Sequence, residues 1–188
     1  MGNGSAICVE TALPAAGDAA FEGHCRELRP RAYRFAAGMV PDRSRAEELL
    51  QEAYLRLYSA RGRFAETADD IRRYLFRIVA NLCLDELRRG KTGGEVLAAA
   101  APLAREKFAR QQGEPAAELE RRERLAAVQR AVGELPADER AALLLREIEG
   151  QSYAQIAETL ATTVSDVTNL IHRARSRFAE LMRPWVEE

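Results

Sequence analysis

Apolar residues return every three or four positions along most of this chain, the spacing of one buried helical face, and no useful run alternates at the two-residue period of a strand. Phe21, Cys25, Leu28, Ala32, Phe35, Ala36 and Met39 predict one long helix ending near Gly38. Pro41-Asp42 interrupts it, and Asp42 or Ser44 can cap a second helix with the stripe Ala46, Leu49, Leu50, Ala53 and Leu57. Gly62 breaks that pattern, so Ser59–Asp69 reads as a polar loop. Asp69 or Asp70 then opens a third helix burying Ile71, Leu75, Ile78, Val79 and Leu82, which completes a compact N-terminal bundle of three or four helices.

The pattern fails after Arg89. Lys91–Gly94 is turn-like, Glu95–Gln112 is Ala-rich with mixed charge, and Gly113-Glu114-Pro115 breaks again, the composition of a tether. From Glu118 the helical period returns with Leu125, Val128, Val132 and Leu135, and Leu135-Pro136 starts a further helix carrying Ala141, Leu144, Leu145 and Ile148. The most specific stretch follows at Gln151–Arg175, QSYAQIAETLATTVSDVTNLIHRAR. Ser152 with Gln155, and Thr163 with Asp166, are each spaced as a capping box opening a helix. The first of these helices would bury Ile156, Ala157 and Leu160, and the second Val167, Ile171 and Ala174, which makes a helix-turn-helix. The expected fold is all-α: two small helical bundles joined by a tether, the C-terminal one containing the helix-turn-helix. Residues 1–18 would be a loose tail, 19–91 the first bundle, 92–117 the linker and 118–188 the second bundle.

Composition narrows the chemistry. The chain has 188 residues, 47% hydrophobic and 30% charged, with a net charge of -1. Any contact with nucleic acid must therefore come from local basic faces on a balanced surface. No apolar run approaches the roughly 20 residues of a membrane span, and Met1–Ala20 lacks the basic and apolar regions of a secretory signal, so a cytoplasmic protein is expected. Cys8, Cys25 and Cys83 are odd in number and far apart, as free thiols in a reducing compartment are. His24 beside Cys25 has no second close pair, and no metal site or cofactor is expected. There is no Gly-rich phosphate loop, no HExxH and no nucleophile with a plausible His partner among His24 and His172. The chain reads as a binder and not an enzyme.

Charge placement suggests what is bound. Glu47, Glu48, Gln51 and Glu52 form an acidic side of the second helix that solvation alone would explain. In the third helix, Arg88, Arg89 and Lys91 near the end suit the helix dipole, whereas Arg72, Arg73 and Arg77 stand near the start, where cations are disfavoured. Arg72 and Arg73 therefore ask for an external anion, and Tyr74 offers a face for an unstacked base. Arg173, Arg175 and Arg177 would hold phosphates while their helix enters a major groove.

Three blocks together resemble a known family. Ala46–Tyr58 (AEELLQEAYLRLY), Arg73–Arg89 (RYLFRIVANLCLDELRR) and Leu135–Glu149 (LPADERAALLLREIE), the last followed by SYAQIAETL and HRARSRFAEL, are similar to the sigma factors of bacterial RNA polymerase. The match is to the short extracytoplasmic-function type and covers about Phe21–Arg89 and Leu119–Leu181. It implies an alternative sigma factor that binds core polymerase and directs promoter recognition, melting and initiation, with 19–91 as the core- and minus-ten-binding domain. By the same resemblance Glu48, Gln51, Glu52 and Leu55 would bind the β′ clamp helices. The loop Ser59–Asp70 would line a pocket for a flipped base. Arg72, Arg73, Tyr74, Arg77, Asn81, Arg88 and Arg89 would lie at the minus-ten element. Thr168, Asn169, His172, Arg173 and Arg175 would face the minus-thirty-five element, with the C-terminal domain also on the β flap and an anti-sigma factor as restraint.

One departure matters. Where the family has Gly-Thr-Val-Lys-Ser-Arg, this chain has Ser165-Asp166-Val167-Thr168-Asn169-Leu170, so two cations are replaced and an anion is added. Fewer neutralised phosphates mean weaker attraction, although Asn169 can read adenine and Thr168 a thymine methyl. A second reading follows from that weakness: a mimic that sequesters an anti-sigma factor without reading DNA. The Arg72–Tyr74 and Arg88-Arg89 clusters oppose it. A plain helix-turn-helix regulator would not need Ala46–Tyr58.

Overall fold

The computed structural model describes residues 16–63, 67–92 and 115–185. Among them the chain forms α1 (Ala16–Met39), α2 (Arg43–Ser59), α3 (Ala68–Thr92), α4 (Pro115–Glu134), α5 (Ala137–Glu147), α6 (Tyr153–Leu160) and α7 (Val164–Met182), with a short 3-10 turn at Arg183–Trp185 and no strand. The expected all-α fold is the observed one. The tail and most of the tether, 1–15 and 93–114, lie outside the described residues.

Local side-chain chemistry sets most helix starts. Asp42 caps α2, accepting from the Ser44 amide at 2.8 Å. The start of α3 corrects the expectation of an Asp69 or Asp70 cap. Thr67 takes that place, accepting from the Asp70 amide at 3.2 Å, and both aspartates sit in the first turn. α3 also runs through Gly90 to Thr92, into the expected turn at Lys91–Gly94, and α4 begins earlier than expected, at Pro115. Proline at a first helical position removes an amide that would have had no partner there. Both predicted capping boxes are formed, Ser152 with Gln155 and Thr163 with Asp166. Between them the chain turns at Ala161, whose φ of 52° and ψ of 48° lie in the left-handed region, and the Thr162 amide closes onto the Ala157 carbonyl at 2.9 Å.

Phe35 and Phe76 meet edge-on at 5.8 Å between ring centres and help lock α1 to α3. The same core continues into the C-terminal half. Ala141, Leu144, Leu145, Ile156, Ala157, Val167 and Ile171 are buried in one cluster with the stripes of α1, α2 and α3. The two bundles are therefore packed face to face. Gly38 permits this, since a Cβ there would lie 2.9 Å from Leu144 Cδ1. Polar ties cross the same seam. The buried Arg140 guanidinium donates across it to the Met39 carbonyl at 2.6 Å, and within its own half to the carbonyls of Leu135 at 3.0 Å and Gly133. Arg31 Nη2 lies 3.1 Å from Glu149 Oε2, and Glu149 is only 3% exposed. Burial pushes the Glu149 carboxyl above its ordinary pKa, with Arg31 opposing. Cys25 and Cys83 are buried thiols outside any disulfide, and burial raises the Cys83 thiol to about 12, which keeps it protonated.

Candidate functional site

Three exposed faces carry the residues singled out from sequence. On α2, burial of Ala46, Leu49, Leu50, Ala53 and Leu57 turns the opposite side outward. Glu48 and Gln51 are exposed there, and Leu55 is 69% exposed among them. Arg45 grips Glu48 and, on α3, Glu86, each at 2.7 Å. Its two carboxylates push the guanidinium pKa up, and Arg45 in turn holds Glu86 below the carboxylate range. Glu52 pairs with Arg56 at 2.5 Å. Glu52, Leu55, Arg56, Ser59, Ala60 and Arg63 share a shallow hollow of about 440 Å³ with Tyr74. The fold thus brings two sequence-predicted groups, the α2 face and the aromatic of α3, to one edge.

On α3, Leu75, Phe76, Val79, Leu82 and Cys83 face the core. Arg73, Arg77, Asn81 and Arg88 then fall on one exposed stripe at helical spacing. Arg72 does not join them. It is half-buried on another side, in a hollow of about 310 Å³ with His24, Glu27, Leu28, Arg31, Ala68 and Asp69. The expectation that Arg72 and Arg73 require an external anion is also corrected: Asp69 meets Arg72 at 3.0 Å and Asp70 meets Arg73 at 2.5 Å. The carboxyl of Asp70 is held below its ordinary range by the Thr67 hydroxyl and then by Arg73. Arg88 lies 3.4 Å from Asp85 and 3.9 Å from Asp138 at the start of α5, and Arg89 lies 3.9 Å from Glu86.

On α7, buried Val167, Ile171 and Ala174 leave Asn169, His172 and Ser176 facing outward. The Thr168 hydroxyl donates back to the Val164 carbonyl at 2.9 Å, which turns its methyl outward from that bond. The arginines occupy the two edges of this face. Arg175 meets Glu147 at 2.9 Å on one edge. Arg173 and Arg177 meet Glu139 at 3.2 and 3.0 Å on the other. The negative charge of Asp166 is engaged in the cap: the hydroxyls of Thr163 and Thr162 donate to it and lower its pKa. Sequence reading passed over Glu139, Arg140 and Glu149, because each gains its meaning from a partner on another helix. The one local signal was the charged run Asp138-Glu139-Arg140 immediately before the apolar Ala141–Leu145.

Residues 25–92 match the family Sigma-70 region 2, and residues 125–178 match Sigma-70, region 4. The ECF RNA polymerase sigma factor SigM of Mycobacterium tuberculosis is 34% identical over 165 residues, spanning 88% of this chain and 76% of that protein. The chain belongs to the extracytoplasmic-function sigma factors. It is an alternative sigma factor that directs promoter recognition. The RNA polymerase sigma-H factor of Pseudomonas aeruginosa is 33% identical over 153 residues, 79% of each chain. Two solved structures share the fold of this sigma factor. One is the sigma factor RpoE in complex with the anti-sigma factor NepR from Bartonella quintana (TM-score 0.65, 22% identity, 86% of this chain and 98% of that one). The other is CnrH in complex with the cytosolic domain of CnrY (TM-score 0.62, 23% identity, 88% and 89%). In the sigma factor the region 2 match ends at Thr92, where α3 ends, and the region 4 match runs from α4 into α7. Among the described residues no helix is long and apolar enough to cross a membrane.

Proposed function

We propose that the three faces divide the work of initiation. Glu48, Gln51, Glu52 and Leu55 on α2 bind the clamp helices of the polymerase β′ subunit. Arg73, Arg77, Asn81, Arg88 and Arg89 on α3 hold minus-ten DNA, and Tyr74 in its hollow stacks on an unpaired base. Arg72, on its separate side, supports the start of α3 through Asp69. Thr168, Asn169, His172, Arg173 and Arg175 on α7 meet the minus-thirty-five element, and the C-terminal half docks on the β flap. The polymerase carries out all covalent chemistry, and the sigma factor works beside it in the cytoplasm. The observation that carries this reading is the exposure of Leu55, 69%, in the middle of an acidic helical face. A large apolar side chain held in water at such a place suits a protein partner that covers it.

The packed seam bears on the mechanism. Promoter elements some 25 base pairs apart are separated by about 85 Å at 3.4 Å per base pair, whereas a compact chain of this length has a radius of gyration of about 16 Å. The two halves therefore part when both elements are read. The segment 93–114 can extend about 75 Å at most, enough to follow much of that distance. The sigma and anti-sigma complexes among its structural relatives support an anti-sigma factor as the agent that keeps this chain from polymerase.

Run-off transcription with purified core polymerase on a genomic promoter library tests the whole reading. Promoter-specific transcripts are expected, and Leu55→Glu should abolish them by preventing holoenzyme assembly. Core binding without any promoter-specific transcript would favour the mimic. Unaltered core binding by Leu55→Glu would move the polymerase contact away from α2.

A further inference from the structure

We propose that Glu139 is a positioning residue for promoter contact: from its buried place in α5 it presets the guanidinium groups of Arg173 and Arg177 for DNA phosphates. The inference rests on the reading that α7 enters the groove. Glu139 is 5% exposed, in the first turn of α5. Its two oxygens are divided between the arginines, Oε1 lying 3.2 Å from Arg173 Nε and Oε2 3.0 Å from Arg177 Nε. These are ion-pair distances, and Oε2 accepts no hydrogen bond, so the buried carboxylate holds both arginines by its charge beside the nitrogen nearest the stem. A guanidinium has five donors in a rigid planar fork. A buried counter-charge beside Nε confines the group to the seam and leaves its outer donors for an anion beyond. Both side chains remain more than half exposed, 56% and 55%, while the carboxylate side chain that holds them is 6% exposed.

Burial of Glu139 decides the strength of the hold. Water competes poorly for a shielded carboxylate, and its pull on the arginines is stronger in the low-dielectric seam between α5 and α7. A phosphate arriving from solvent then meets two guanidinium groups already confined to that edge of α7, and less side-chain freedom is lost on binding. Arg173 and Arg177 are one helical turn apart, on the line that includes Asn169, so the preset edge adjoins the residue best suited to read a base. The opposite edge differs: Arg175 is held by Glu147, whose side chain is 56% exposed. Glu139 thereby supplies order on the edge of a recognition helix that lacks the family's usual lysine and arginine.

The sign of one substitution tests this. The full chain is titrated with a mixed-sequence DNA duplex across a salt series and read by fluorescence anisotropy. Glu139→Gln removes a negative charge, so a carboxylate that only neutralises the arginines predicts tighter binding. Presetting predicts the reverse, an affinity lower by about three- to tenfold, the scale of one charge-assisted contact. In a background carrying Arg173→Ala and Arg177→Ala, Glu139→Gln should cause no further loss. Equal or tighter binding by Glu139→Gln alone, or the same loss in both backgrounds, overturns the proposal. If the double alanine variant itself binds like the unaltered chain, the groove reading of α7 fails and Glu139 loses the role with it. Should melting show Glu139→Gln to be unfolded, Arg173→Lys with Arg177→Lys serves instead. It keeps the charge but not the fork, and binding as tight as the unaltered chain would also overturn the proposal.

Discussion

The arginines at the start of α3 and those along α7 look alike in sequence and are held in different ways. Arg72 and Arg73 pair with carboxylates three residues back in their own first turn, each pair with one exposed and one half-buried partner. Arg173 and Arg177 pair with one buried carboxylate on a neighbouring helix. A local exposed pair contributes little and is readily traded for a phosphate. A pair held across helices to a buried carboxylate is part of the packing. Under the proposed division of work, the first kind of pair fits contacts made as DNA is melted and the second a preset contact with intact duplex.

The contrast should be visible as stability. Arg140 is the extreme tertiary case, a buried guanidinium serving the carbonyls of Met39, Gly133 and Leu135. Arg140→Ala should cost about 3 kcal/mol or more, since each stranded carbonyl costs roughly 1–3 kcal/mol, and calorimetry would read it as a lower melting temperature. A loss under 1 kcal/mol would break the distinction between tertiary and local arginines.

Glu149 gives a pH-dependent version. Arg31 and Arg34 of α1 and Arg72 of α3 face it across the seam, yet burial outweighs them and raises its pKa above the ordinary 4.5. Its folded value exceeds its exposed value, so the packed seam binds the extra proton. Packing is therefore favoured below the ordinary value and loses that contribution as pH rises through the raised one. Small-angle scattering between pH 4.5 and neutrality should show expansion with rising pH, and Glu149→Gln should flatten that part of the profile. A profile unchanged by the substitution would remove Glu149 from the account.

Asp69→Asn with Asp70→Asn tests the local side. The loss of dipole compensation at the start of α3 should cost only about 1 kcal/mol, while binding to single-stranded DNA tightens because two anions leave the arginines. Weaker binding would mean that the aspartates also orient their partners, as we infer for Glu139. The smallest effect belongs to Glu147→Ala, an exposed partner of Arg175, at a few tenths of a kcal/mol in a denaturant titration.

What could be read from sequence follows the same division. The buried stripes, the Asp42 cap and both capping boxes were legible because spacing within one helix determines them. Even there, Thr67 outcompeted the adjacent aspartates as the α3 cap, and α3 absorbed Gly90 without breaking. The faces on α2, α3 and α7 were legible as exposed complements of those stripes, apart from Arg72, which the fold sets aside. The ties of Arg140 to Met39, of Glu139 to α7 and of Glu149 to Arg31 were not, since those partners lie far away along the chain and no local pattern records them. The extent of the seam was missed for the same reason: Leu144 reads as one more core residue until Gly38 is placed beside it.

That seam has a thermal consequence. The surfaces joined by Leu144, Ala141, Ile156 and their neighbours are apolar, so parting the halves hydrates hydrocarbon and raises the heat capacity. The free energy of opening is then curved in temperature, greatest at an intermediate point and smaller on both sides. Heating and cooling alike would loosen this sigma factor before any partner acts on it, a response that halves joined by ion pairs alone would not share.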